Sequence, residues 1–141
     1  MRPRSLIATA AAVLLMSAGQ TVVATPAQAI PVGCENPGPG EIVFLGDGDD
    51  LYLGTPGADI IFGGAGDDII DGNGGGDVLV GGPGHDILLG SACGDRLFGN
   101  HGSDKLGGRS GNDVLDGGEG DDYCSDNAYP DIVYFSNFLP C

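Results

Sequence analysis

The sequence has very little positive charge: five lysines and arginines stand against twenty aspartates and glutamates, giving a formal net charge of −15. A polyphosphate partner requires the opposite balance, so nucleic acid is not expected as a ligand. The chain also lacks HExxH, GxSxG and a Walker loop, which removes the usual signatures of metalloprotease, serine hydrolase and nucleotide chemistry. Its four cysteines include no CxxC pair, which argues against a structural zinc site. An EF-hand fails too, because with Asp47 as first ligand, Leu51 and Ala58 would fall where oxygen is required. With no catalytic constellation left, the expectation is a protein that is not an enzyme.

What the chain has in excess is glycine, 28 residues of it, and the glycine is periodic. Residues 63–71 read GGAGDDIID, and related stretches stand at 81–89 (GGPGHDILL) and 117–125 (GGEGDDYCS), at separations that are multiples of nine. From Leu45 the chain divides without insertion into nine nonapeptides ending at Ser125. The sixth place is always aspartate: Asp50, Asp59, Asp68, Asp77, Asp86, Asp95, Asp104, Asp113 and Asp122. The eighth is always apolar, from Tyr52 and Ile61 through Leu115 to Cys124. Glycine holds the first place in every unit but the opening one, and the fourth in every unit but the sixth, where Cys93 stands.

This pattern resembles the RTX, or haemolysin-type, calcium-binding nonapeptide GGxGxDxUx. The resemblance implies an all-β fold, a parallel β-roll of nine repeats, in which two units make one turn and each supplies a glycine-rich turn and a short strand. It also implies calcium between turns stacked on the same side. The ligands would be the nine aspartates together with turn carbonyls around Gly46, Gly48, Gly64, Gly66, Gly82, Gly84, Gly102, Gly111, Gly118 and Gly120.

The residues support that picture independently. Side chains alternate across a strand, so a three-residue strand at places seven to nine turns only its eighth place inward. A core in single file is too small to offset the ordering of so long a backbone. Nine stacked aspartates add self-repulsion. Calcium relieves that repulsion, because it takes six to eight oxygens in flexible geometry, backbone carbonyls included. Stacking each unit on the next but one leaves four gaps among the odd units and three among the even, so up to about seven ions.

A single turn aspartate is as readily a cap for its own backbone as a ligand. Nine in phase favour the ligand role, since asparagine or serine would cap without accumulating charge. The odd units carry the further acids Asp47, Asp49, Asp67, Glu119 and Asp121, whereas the even units place Thr55, Asn73, Ser91 and Arg109 at the second position. Tighter binding is therefore expected on the side of Asp50, Asp68, Asp86, Asp104 and Asp122. His85 and His101 fall in odd-side turns and are read as solvated.

Residues 1–29 read as a secretory signal peptide: Arg2 and Arg4 precede an apolar run from Leu6 to Ala18, and Ala27-Gln28-Ala29 offers a cleavage site near Ala29. The expected destination is extracellular, with no membrane span. Lipid anchoring at Cys34 is disfavoured by the proline three places before it. Cleavage would leave three basic residues against twenty acidic, a net charge of −17. A cleaved leader departs from the best-known members of the family, whose exporter reads the C-terminus.

Four cysteines in a secreted chain imply two disulfides among three pairings. The favoured set is Cys124 with Cys141, pinning the tail over the end of the roll, and by elimination Cys34 with Cys93. Residues 30–44 and 126–141 are read as N- and C-terminal caps of a stack at 45–125, because a repeat array must cover its ends. Places seven and nine carry outward-facing apolar residues, among them Leu51, Leu53, Ile60, Phe62 and Ile69. Strand propensity accounts for these; the alternative is a surface for self-association or a protein partner, making the roll a calcium-stiffened structural or adhesive module.

Overall fold

The computed structural model describes Cys34, residues 37–125 and the backbone of 132–134. Every regular element in them is a strand: β1 (Ile42–Asp47), β2 (Leu51–Leu53), β3 (Ile60–Ala65), β4 (Ile69–Asp71), β5 (Val78–Pro83), β6 (Ile87–Ala92), β7 (Arg96–His101), β8 (Lys105–Ser110), β9 (Val114–Glu119), β10 (Tyr123–Ser125) and β11 (Ile132–Tyr134). Odd strands form one parallel sheet in the order β1-β3-β5-β7-β9-β11, and even strands a second, β10-β8-β6-β4-β2. Residues eighteen apart pair, as in Ile61 with Leu79 and Ile70 with Leu88. The chain thus winds as a parallel β-solenoid of about five turns, two nonapeptides to the turn, consistent with a β-roll.

Most strands are longer than the three residues expected from the sequence. Only β2, β4, β10 and β11 keep to places seven to nine, and the others run on through the first three places of the next unit. Glycine permits extended backbone as readily as turned backbone, and pairing with the coil above holds it extended. The turn proper is left to places four to six.

The longer strand fixes which side chains enter the roll. With a period of two, places six, eight and one share the inner face. The eighth-place residues Ile61, Ile70, Leu79, Leu88, Leu97, Leu106 and Leu115 are buried in single file, with Val43, Leu45, Tyr52 and Cys124 packed at the two ends. Asp59, Asp68, Asp77, Asp86, Asp95, Asp104 and Asp113 are buried beside them. First-place glycine follows from this crowding: a Cβ added to Gly63, Gly72, Gly81, Gly99 or Gly117 would strike Oδ2 of Asp68, Asp77, Asp86, Asp104 or Asp122 respectively.

The register also extends beyond 45–125. Ile42 pairs with Ile60, and Ile132 with Val114, each at the same interval of eighteen. Cys34 is disulfide-bonded to Cys93 across a separation of 59 residues, with Cα atoms 5.5 Å apart. Cys124 is disulfide-bonded too, and none of the described cysteines is free. Cys141, the leader read over 1–29 and most of the C-terminal cap segment lie outside the described residues.

Candidate metal centre

The aspartate column is held by a repeated main-chain contact. From Asp50 to Asp104 the N–H of each column residue donates to Oδ1 of the aspartate eighteen places on: Asp50 to Asp68 at 2.9 Å, Asp59 to Asp77 at 2.8 Å, Asp68 to Asp86 at 2.9 Å, Asp86 to Asp104 at 2.8 Å and Asp104 to Asp122 at 2.9 Å. Asp77 donates likewise to Asp95, and Asp95 to Asp113, each at 2.8 Å. One carboxylate oxygen therefore does cap backbone, but the backbone of the neighbouring turn rather than its own.

The other oxygen is left over. Oδ2 of Asp68, Asp77, Asp86, Asp104 and Asp122 is buried with no hydrogen-bond partner. A buried carboxylate without a partner for its charge is among the most costly arrangements in a protein interior. Burial pushes the carboxyl of Asp77 up to about 7 and that of Asp86 up to about 6, partly offset by the N–H each accepts and reinforced by neighbouring aspartates. Asp68 and Asp104 are raised for the same first cause.

The turns outside the column are stacked backbone on backbone. Gly46, Gly64, Gly82 and Gly118 at place two, and Gly48, Gly66, Gly84, Gly102 and Gly120 at place four, all have φ between 93° and 152°. A Cβ on Gly64 would strike the carbonyl oxygen of Gly46, and one on Gly84 or Gly102 that of Gly66 or Gly84. Main-chain oxygens thus crowd the interval between successive turns, where glycine leaves the most room for them, although Asn73, Ser91, Cys93, Asn100 and Arg109 hold equivalent places at positive φ.

These features fit a hard cation. Among the described residues no three acidic, histidine or cysteine side chains converge as a metal-binding group, so a coordination shell must be completed by carbonyls, as calcium accepts. The orphaned Oδ2 atoms supply anionic oxygen, and a bound cation supplies the countercharge that the protein leaves unfilled. The turns at 46–50, 64–68, 82–86, 100–104 and 118–122 line one edge of the roll, and that edge carries ten of the twenty acidic residues. On it a second ladder runs outside the first: Asp67 N–H donates to Asp49 at 2.9 Å, His85 N–H to Asp67 at 2.8 Å, and Ser103 N–H to His85 Nδ1 at 2.9 Å. His101 Nδ1 lies 3.2 Å from Glu119 Oε2 at the surface. The two histidines remain 18-residue ladder neighbours of other groups, not of each other.

Two residues outside the aspartate column also bond to it, and the first lies outside the nine-unit frame. Glu41 stands nine places before Asp50, and its N–H donates to Asp59 Oδ1 at 2.6 Å as the column aspartates do. The clue in the sequence was the frame 36–44, NPGPGEIVF, in which glutamate replaces aspartate. Thr55 is the other: its N–H and hydroxyl both donate to Asp59.

A family model described as the RTX calcium-binding nonapeptide repeat matches in four copies, over residues 44–79, 71–106 and 102–125. No curated protein and no solved structure gives a significant match. The matched span covers more than half of the sequence and coincides with the stacked turns and the buried aspartate column, and on that ground the chain belongs to the RTX calcium-binding nonapeptide repeat family.

Proposed function

We propose that this is a secreted calcium-binding protein whose roll folds around the ion. The observation that carries the reading is the row of buried, unpartnered Oδ2 atoms on Asp68, Asp77, Asp86, Asp104 and Asp122. A binding site of this kind exists only once the turns are stacked, so binding free energy is folding free energy. The donors are the column aspartates with the turn carbonyls around Gly46, Gly48, Gly64, Gly66, Gly82, Gly84, Gly102, Gly111, Gly118 and Gly120. Seven gaps between stacked turns set the upper number of ions. Export through the leader at 1–29 would deliver a chain depleted of ion into a medium that supplies it, so that calcium acts as the folding trigger outside the cell.

The test is far-ultraviolet circular dichroism of the oxidised chain during a calcium titration, with magnesium as control. Magnesium demands near-ideal octahedral geometry and sheds its waters reluctantly, so a cooperative gain of β signal is expected with calcium alone. A chain already folded in chelator and unmoved by calcium would refute the reading.

A second reading rests on the outer faces. Phe44, Ile42 and Leu51 are 73%, 67% and 80% exposed, and Phe44 stacks on Phe62 with ring centroids 4.9 Å apart. In this reading calcium stiffens the roll and the apolar faces make the contact, with a second copy or a protein partner. Calcium-dependent sedimentation of the purified chain supports it, and a strictly monomeric loaded protein at high concentration rules out self-association.

A further inference from the structure

Eight of the nine glycine-rich turns have positive φ at both their second and fourth places, and the turn at 54–59 has it at neither. At the second place φ is positive at Gly46, Gly64, Asn73, Gly82, Ser91, Asn100, Arg109 and Gly118, and at the fourth place at Gly48, Gly66, Gly75, Gly84, Cys93, Gly102, Gly111 and Gly120. Thr55 and Gly57, which hold those places in this turn, are absent from that set. The cause lies in the side chain: a β-branched residue is a steric outlier at positive φ, and a residue before proline is further held extended. Proline alone does not enforce it, because Gly82 precedes Pro83 and keeps φ at 133°.

Held in this conformation, Thr55 turns onto the aspartate of its own unit. Its N–H donates to Asp59 Oδ2 at 2.7 Å, and its hydroxyl lies 2.8 Å from Oδ1 and 3.1 Å from Oδ2. Gly57 N–H closes the turn by donating to Thr55 Oγ1 at 3.0 Å. Glu41 N–H donates to Oδ1 as well. Both oxygens of Asp59 are thus satisfied by protein, whereas Asp68, Asp77, Asp86, Asp104 and Asp122 keep Oδ2 unpartnered.

We propose that Thr55 is an intramolecular plug that withdraws Asp59 from ion binding and closes the turn at 54–59 to calcium. The proposal rests on the calcium-binding reading above. It leaves the gap between the turns at 54–59 and 72–77 without an ion, so that of the seven gaps within the nine units the roll fills at most six. Thr55 sets the number and position of ions without touching one. A single change restores the open form, because Thr55→Gly converts GTPG into the GGPG found at 81–84.

The experiment counts calcium on the oxidised full chain by native mass spectrometry, for the wild type and Thr55→Gly, with circular dichroism to verify folding in calcium. The expected result is one ion more on the variant. Equal counts on two folded proteins overturn the proposal. Should Thr55→Gly fail to fold, the crystal structure of the calcium-loaded wild type decides: an ion touching Asp59 overturns it, and ions at Asp68 and Asp86 with none at Asp59 uphold it. A wild type that binds no calcium at all instead refutes the functional reading on which the plug depends.

Discussion

The main-chain N–H of Asp68 donates to Oδ1 of Asp86, eighteen residues further on, at 2.9 Å. The contact does two things at once. It ties one coil to the next, and it orients the carboxylate so that its second oxygen faces inward, against Gly81, with nothing to accept from. The same residue is therefore a structural cap on one oxygen and an unsatisfied anion on the other.

Replacing Asp86 by asparagine separates those roles. The amide oxygen still accepts from Asp68, while the buried charge is gone. In chelator at pH 8, Asp86→Asn is expected to be more stable than the wild type by on the order of 2 kcal/mol, the worth of relieving a desolvated carboxylate. In saturating calcium the order reverses, because the variant loses an anionic ligand. Paired denaturant melts check both halves.

The raised carboxyls make the metal-free roll acid-favoured. Asp77 and Asp86 ordinarily titrate at 3.8 and are pushed up to about 7 and about 6 by burial. A group that holds its proton more tightly when folded stabilises the fold below its unfolded pKa, and that contribution is lost as pH rises through the folded value. Stability without calcium is thus expected to fall between about pH 4 and pH 7, by at least about 2 kcal/mol. With calcium the trend is opposite, since protons compete for the same oxygens. Urea melts at a series of pH values, with and without the ion, give both slopes.

Gly81→Ala places a methyl group against the Asp86 carboxylate. Overpacking of this kind costs about 1–3 kcal/mol, and here it also displaces a ligand. Loss of stability in chelator accompanied by weaker calcium binding is the expected pair of outcomes, read by thermal melts and titration calorimetry.

The bond between Cys34 and Cys93 closes a separation of 59 residues. In the chain-entropy model a loop of that length contributes about 4 kcal/mol. The Cys34→Ser/Cys93→Ser double variant is expected to need several-fold more calcium to fold, which the midpoint of a calcium titration followed by circular dichroism reports.

Much of this was legible in the residues. The nine-residue period, the eighth-place core and the division of acids between two edges follow from the columns alone. The burial of Asp68 and its partners was less obvious, because aspartate is rarely enclosed. Yet once the strand is seen to continue through Gly63, places six, eight and one must share a face. The register at the two ends was harder to see for a different reason. Glu41 and the strand Ile132–Tyr134 keep the register while departing from the glycine pattern, so a search for glycine stops before the roll does. Thr55 was visible as an exception at the second place, but only its φ and its bonds to Asp59 reveal what the exception does.

The eighteen-residue interval makes the molecule a one-start screw with two edges, with a pitch equal to the spacing of neighbouring strands, about 4.8 Å. Its two edges are not alike, one acidic and one bearing Thr55 and Arg109. Adding or removing eighteen residues lengthens or shortens the screw and keeps each edge continuous. A change of nine preserves every local motif but transposes the edges from that point on, splicing acidic turns onto the plugged edge. Parity of repeat number, invisible in any single nonapeptide, is thus a constraint on how such a chain can grow.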